Sequence, residues 1–455
     1  MRHKIKLAAF FLAGTMILGG CSQGGQEVEK ARIQTGESQK SSQDTKTKGG
    51  VGTASQTENG GEKTVIRFEN HGANKHELFA EAVQIFNESQ EQVYVDFQTN
   101  TQDWEASLWA ALAVDDAPDI ITHIAQARIP QYAEAGHLMD LTSMGCAAFI
   151  DGGAREPVSY KGGLYAIPVQ TEIYGVFYNK DLFEKAGITE VPRTLSQLEE
   201  VVEALKPLEE EGIYPFSAQY RDSGQLSFYM TYGGAASLYK SVAEQGQTLE
   251  GVAEGTYTFE NSRVKDIFRL YNIVGENCQP KPEDTDYTTH NTLFAAGESA
   301  MLIMGNWTIA QIRELNPEIN IGMFALPVSE DPEDAVFAED YNLVINVNAH
   351  TKNKEAVDEF LSFFCDYQKP TKEFFIKNAL PSGLKNFEQV VTYDPALKAP
   401  LEAESTSEYF TRILPNGFDP GKSIQEYMLD PDMTIDEAAS LLQKNYTTHI
   451  ENMKK

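Results

Sequence analysis

Residues 65–68 read Val65-Ile66-Arg67-Phe68, residues 74–86 read Asn74-Lys75-His76-Glu77-Leu78-Phe79-Ala80-Glu81-Ala82-Val83-Gln84-Ile85-Phe86, and residues 93–97 read Val93-Tyr94-Val95-Asp96-Phe97. The first is a short apolar strand. In the second, Leu78, Ala82, Ile85 and Phe86 recur at helical spacing, and in the third Val93, Val95 and Phe97 fall on one face of a strand. Ile120 and Ile121, after Asp119, form the core of another strand. Strand, helix, strand in this rhythm predicts an α/β fold with a parallel sheet covered by helices. Later helices have readable starts. Thr194 with Gln197 precedes a helix over Leu195 to Leu208, and Thr434 with Glu437 precedes the last one, each in a capping-box pattern. The stretch from Lys354 to Phe364 sets Val357, Phe360, Leu361 and Phe364 on one face. The body runs from about Lys63 to the end, roughly 390 residues, which suits two lobes better than one core.

Ahead of this body stand Met1, Arg2, His3, Lys4, Ile5 and Lys6, an apolar run from Leu7 to Leu18, then Gly19, Gly20 and Cys21. A basic start, a short apolar stretch and small residues before a cut site predict a secretory signal over 1–20; the run is too short for a membrane span. Its ending resembles a bacterial lipobox, which implies a lipid on Cys21 and a protein anchored to the outer face of the cell membrane. Residues 22–62 are mostly Ser, Gly, Gln, Thr, Lys and Glu. Such a stretch cannot bury enough surface to offset its chain entropy, and 21–62 is expected to be a lipidated, disordered stalk. Its reach as a flexible chain is on the order of 35 Å.

The formal net charge of −30 argues against nucleic acid or an anionic lipid surface as partner. Beyond Cys21 remain Cys146, Cys278 and Cys365, with no C-x-x-C pair, so neither a disulfide framework nor a zinc ribbon is indicated. No histidine pair has H-E-x-x-H spacing, and the Asp284/Asp286 and Asp430/Asp432 pairs lack the glycine and closing glutamate of a calcium loop. No metal and no cofactor is expected. No G-x-S-x-G, P-loop or dinucleotide fingerprint stands in a fitting context, and no pair of carboxylates is marked for hydrolysis.

Several phrases together carry a resemblance. Ala117-Pro118-Asp119-Ile120-Ile121, Glu134 to Leu141, Lys161 to Pro168, and Tyr178-Asn179-Lys180-Asp181-Leu182-Phe183 through Gly187 follow one another. Then come Pro192-Arg193-Thr194-Leu195, Phe294 to Met301 with Gly305-Asn306-Trp307, Gly322 to Pro327, Asn353-Lys354-Glu355-Ala356 with Phe360-Leu361, and Leu380-Pro381-Ser382. In this order, from about residue 63 to 445, the chain resembles family 1 extracellular solute-binding proteins, the sugar receptors of ATP-binding-cassette importers. Leu195 stands where the family usually has Trp. The resemblance implies a two-lobed periplasmic-binding-protein fold, each lobe a sheet covered by helices, hinged around a central cleft. Crossings are then expected near Pro168 to Glu172, Glu339 to Val344 and Asn378 to Ser382. That makes 63–170 with 343–379 the first lobe and 171–342 with 380–455 the second.

The implied function is capture of a mono- or oligosaccharide between the lobes and its delivery to the transmembrane permease subunits of an ABC transporter, by a monomer and without catalysis. The alternatives are the same fold holding a polyamine, peptide or iron complex, or a secreted glycan-active enzyme. Sugars show hydroxyls at the edge and C–H bonds on their faces, so a binder needs carboxylates and amides beside aromatic faces. By position the first-lobe candidates are Asn70, His71, Asn74, Trp104, Thr122 and His123. In the second lobe, Tyr220, Asp222 and Gln225 follow a strand at Ile213 to Phe216. Glu339, Asp340 and Tyr341 lie at a crossing. Glu172 sits where the family often places a ligand-binding carboxylate. Trp307, after Asn306, sits where the family commonly stacks a tryptophan on a sugar.

Overall fold

The computed structural model describes residues 63–71, 75–100, 104–125, 128–233, 251, 254–403 and 418–453. The signal, Cys21, the stalk and Asn74 lie outside them. The strands are β1 (Thr64–Asn70), β2 (Val93–Thr99), β3 (Ile120–Thr122), β4 (Ser159–Tyr160), β5 (Gly163–Leu164) and β6 (Ile167–Pro168). They continue as β7 (Glu172–Asn179), β8 (Tyr214–Phe216), β9 (Ser299–Gly305), β10 (Ile321–Phe324), β11 (Ala338–Asp340) and β12 (Val344–Val347).

One sheet has the order β2-β1-β3-β12-β6, and the other has β10-β7-β9-β8 with β11 also on β7. Parallel pairing holds for β1 with β2 and β3, as the strand–helix rhythm requires. It does not hold throughout. β12 runs antiparallel to β3 and β6, and β7 runs antiparallel to β9, β10 and β11. The cause is connectivity. The chain leaves the first sheet through β6 and returns to the same end through β12, so the returning strand must point backward.

These two passages pair with each other. Val344 stands opposite Pro168 and Ile345 opposite Ile167. Val169 N–H donates to Leu343 O at 3.0 Å, and Asp340, Glu339 and Ala338 then face Glu172, Ile173 and Tyr174. A two-stranded ribbon therefore runs from one sheet into the other. A third passage lies beside it, where Thr171 N–H donates to Pro381 O at 2.7 Å.

The first sheet buries Ile66, Phe68, Val93 and Val95 against helices His76–Ser89 and Lys354–Cys365. The first of these turns Phe79, Ala82, Val83 and Phe86 inward. Leu78 and Ile85, expected in that stripe, sit half-buried at its margin, because Phe79 packs edge-on against Phe68 and tilted against Phe374 from the adjacent row. The second sheet separates two cores. On β7 and β9, Tyr174, Val176, Met301 and Ile303 face helices Leu195–Leu205, Ser262–Glu276 and Ile435–Met453, while Ile173, Phe177, Leu302 and Met304 face the other side. The period-two alternation of strands produces this division. Near the third passage Leu384, Phe387 and Val391 pack into the first core, whereas Ala396 and Leu397 pack on the second sheet.

Local chemistry supports several motifs. The Asn179 side chain accepts from the N–H groups of Asp181 and Leu182, so Tyr178-Asn179-Lys180-Asp181 is a strand end with a built-in helix cap. The helix after Thr194 is α-helical to Leu205 and continues as a 3-10 turn over Lys206–Glu211. Thr434 and Glu437 make the reciprocal capping bonds. Among the described residues, Cys146, Cys278 and Cys365 are free thiols, and no helix is long and apolar enough to cross a membrane.

His290, on helix Tyr287–Ala295, is buried and its Nε2–H donates to Ser217 O at 3.0 Å. Burial lowers its pKa from 6.5 to about 4. Between those values the unfolded chain binds a proton that the folded one refuses, so stability is full above pH 6.5 and falls as the pH drops toward 4. His290→Gln keeps a donor without the titration. Urea melts across that window should show the parent losing up to ~3 kcal/mol more than the variant.

Candidate functional site

The ends of the strands that flank the ribbon surround a cavity of about 240 Å³. Lys75, His123, Gln170, Asn342 and Leu343 line it from the side of the first sheet. Glu172, Gln225, Phe228, Tyr232 and Trp307 line it from the side of the second. The elements explain the placement. His123 follows β3, Glu172 opens β7, and Trp307 follows β9. Lys75 stands at the start of helix His76–Ser89. Strand ends and interfaces of α/β layers are where ligand sites ordinarily form.

One wall is aromatic. The Trp307 ring centre lies 6.3 Å from Tyr174 at 29°, 6.3 Å from Tyr232 and 6.0 Å from Phe228. Tyr174 and Tyr232 stack at 5.2 Å. Phe228 and Tyr232 come from a short helix, Ser223–Leu226, that passes into a π-turn over Tyr229–Gly233. Such π-turns recur at functional sites because they re-aim side chains. The Tyr232 hydroxyl donates to Asp340 Oδ2 at 3.1 Å, which fixes the ring from behind.

The opposite wall is polar. Lys75 Nζ donates to Asn378 Oδ1, and Asn378 Nδ2 donates to Gln170 Oε1 at 3.2 Å. Burial lowers the Lys75 pKa below the ordinary lysine value, and the Glu172 carboxylate across the cavity opposes that shift. His123 is held at φ 70°, a left-handed conformation uncommon for a side-chain-bearing residue. Burial, with His71 and Arg128 beside it, lowers its pKa to about 4 and keeps the ring neutral near neutral pH.

Four of the sequence candidates, His123, Glu172, Gln225 and Trp307, thus meet in one cavity. Others stand behind them. Asn70, Thr122 and His71 form a buried cluster in which both His71 ring nitrogens are engaged, with Thr122 O at 3.0 Å and Glu69 Oε1 at 2.9 Å. Trp104 stacks on His71 at 4.5 Å under the Arg128 guanidinium. Asn306 uses its amide on the ribbon, donating to Thr171 O at 3.0 Å and accepting from Ile173 N–H at 3.2 Å. Glu339, Asp340 and Tyr341 are buried in the ribbon, behind the aromatic wall. Tyr220 is in the core of the second lobe, and Asp222 is an exposed cap on Gly224 N–H. Lys75, Gln170, Phe228, Tyr232, Asn342 and Leu343 are additions. Phe228 and Tyr232, spaced i, i+4 after Gln225, were the readable signal among them.

Residues 68–365 match the family model for bacterial extracellular solute-binding proteins. The chain belongs to this family. It is 20% identical over 309 residues to a multiple sugar-binding protein of Streptococcus mutans, covering 66% of this chain and 71% of that one. With a melibiose/raffinose/stachyose-binding protein of Bacillus subtilis it shares 22% identity over 354 residues, 75% of this chain and 79% of the other. A Bacillus subtilis binding protein solved in an open conformation superposes with a TM-score of 0.74 at 19% identity, covering 86% of this chain and 99% of that one. The two-lobed architecture is thus that of solved solute-binding proteins.

In this solute-binding protein, Gly305 sets the position of the tryptophan. A Cβ at Gly305 would lie 1.9 Å from the Trp307 ring, so only glycine lets the indole fold back over β9. Gly305→Ala should therefore cost about 1–3 kcal/mol of stability. Trp307→Ala should remove the clash, and urea melts of both single variants and the double should show the double losing less than the sum.

Proposed function

We propose that this chain captures a neutral or near-neutral carbohydrate, mono- or oligosaccharide, in the cavity between its lobes and passes it to the permease subunits of an ABC importer. The observation that carries this reading is one cavity with an aromatic wall of Trp307, Tyr232 and Phe228 and a polar wall of Lys75, His123, Gln170 and Asn342, with Glu172 beside them. Aromatic faces suit the C–H side of a pyranose, and amides with a carboxylate suit its hydroxyls. Relatives named for sugar binding support the same substrate class. Glu172 is the one carboxylate among the described residues that line the cavity, where glycoside hydrolysis ordinarily uses a pair; this supports capture over cleavage.

In this reading the lobes are 63–170 with 343–391 and 171–342 with 392–455. Leu384, Phe387 and Val391, buried in the first core, support a third crossing after Val391, while Leu380 itself packs in the core of the second sheet. Signal 1–20, a lipid on Cys21 and the 21–62 stalk would hold a monomeric receptor outside the membrane near its permease, at high effective concentration. Ligand contacts both lobes only when they close, so binding shifts the population toward a closed form.

Thermal-shift titration with a panel of mono- and oligosaccharides tests the proposal. A matching sugar should raise the melting temperature by linkage, reduce the radius of gyration in solution scattering and yield no hydrolysis product. Trp307→Ala should weaken that sugar roughly 5- to 150-fold, the equivalent of ~1–3 kcal/mol of lost stacking. Release of reducing ends, or no response across the panel, would sink the sugar-receptor reading.

A further inference from the structure

We infer that Thr122 and Asn70 fix the tautomer of His123, so that its Nε2 faces the cavity as a hydrogen-bond acceptor reserved for a ligand hydroxyl. The inference rests on the cavity being the binding site proposed above. Thr122 Oγ1 has one hydrogen and two lone pairs to assign. Its hydrogen goes to Asn70 Oδ1, at 3.0 Å. One lone pair accepts the backbone N–H of His71, at 2.9 Å. The contact that remains, 2.7 Å to His123 Nδ1, must then be filled by a hydrogen carried on the imidazole.

An imidazole that donates through Nδ1 and is neutral has its lone pair on Nε2. His123 lines the cavity, and no described residue bonds its Nε2. The backbone supports a specific placement, since His123 is held at φ 70° and its own N–H donates to Val344 O at 3.1 Å, beside the ribbon. Strained residues of this kind persist where the surroundings over-determine them, often at ligand clamps. Across the cavity, Gln225 Oε1 is also buried without a hydrogen-bond partner among the described residues. With the Glu172 carboxylate, acceptors then face the ligand from both lobes. They suit a solute that donates several hydrogens, as a polyol does. Thr122 is a positioning residue: it acts on the ligand only through His123.

Long-range proton–nitrogen spectra of the full chain, labelled with 15N-histidine and recorded without sugar at about pH 7, read the tautomer directly. His123→Asn, which tolerates the left-handed backbone, identifies the signal by its loss. The expected pattern is a protonated Nδ1 and an unprotonated Nε2. Thr122→Val should reverse or mix it, while Thr122→Ser should restore it. A protonated Nε2 in the parent, or a pattern that Thr122→Ser loses, would overturn the inference even if Thr122→Val does not fold.

The second arm uses the panel saccharide with the largest melting shift. It should move the Nε2 resonance and leave Nδ1 in place. Its affinity should fall roughly 3- to 10-fold in Thr122→Val and stay near the parent's in Thr122→Ser. An Nε2 signal unmoved at saturation would overturn the assigned role. No binder in the panel, with the Nδ1–H form nevertheless observed, would instead count against the sugar-receptor reading and leave the tautomer standing.

Discussion

Backbone pairing between residues 167–174 and 338–345 is the constraint on which the remaining structure depends. The two segments cross between the sheets side by side, and each link is only three residues long: 169–171 in one direction, 341–343 in the other. Links so short cannot wander. They bring the end of β6 and the start of β12 against the start of β7 and the end of β11, and the open ends of β3 and β9 toward the same space. A cavity at that place follows from the connectivity before any side chain is chosen.

Side chains then specify it in layers. Those that border the cavity are held from behind by hydrogen-bonded groups. Asn306 ties Thr171 and Ile173 to the end of β9, which sets Trp307 relative to the ribbon. Asp340 holds Tyr232, and Asn378 links Lys75 to Gln170. Each of these supports lies in the ribbon or the passage beside it, or, like Asn306, is bonded to the ribbon. A relative movement of the lobes would therefore carry each wall as a unit, with its polar groups kept in register. Lys75 and Glu172 bring opposite charges to the two sides, so a neutral solute leaves no charge uncompensated in the partly buried space.

The sequence was most legible where a local rule acts alone. A short apolar run found β1 and alternation found β2, capping chemistry found the starts after Thr194 and Thr434, and the stripe through Val357, Phe360, Leu361 and Phe364 is fully buried as read. It was less legible where distant segments decide. The antiparallel insertion of β12 depends on a return from another lobe, which no window of the sequence contains. The same limit separated site from support. Asn70, His71, Thr122, Asn306 and Asp340 have the polar character of ligand groups, but each is bonded to a partner far along the chain or in the ribbon. Phe228 and Tyr232 follow Gln225 at helical spacing, but the π-turn that aims them into the cavity leaves no compositional mark.

The position of β12 also sets an order of assembly. It lies between β3 and β6, with Asn346 bonded to Ile124 across 222 residues, so the first sheet stays split until the chain is made past residue 347. The second sheet draws its strands from the continuous span 172–340 and can close first. A sheet that waits on so distant a strand pays its loop-closure entropy late, and it exposes the edges of β3 and β6 meanwhile. Those edges are short, three residues and two, and the chain as a whole carries a formal net charge of −30. Both features limit edge-to-edge association during the interval in which the half-made lobe is vulnerable.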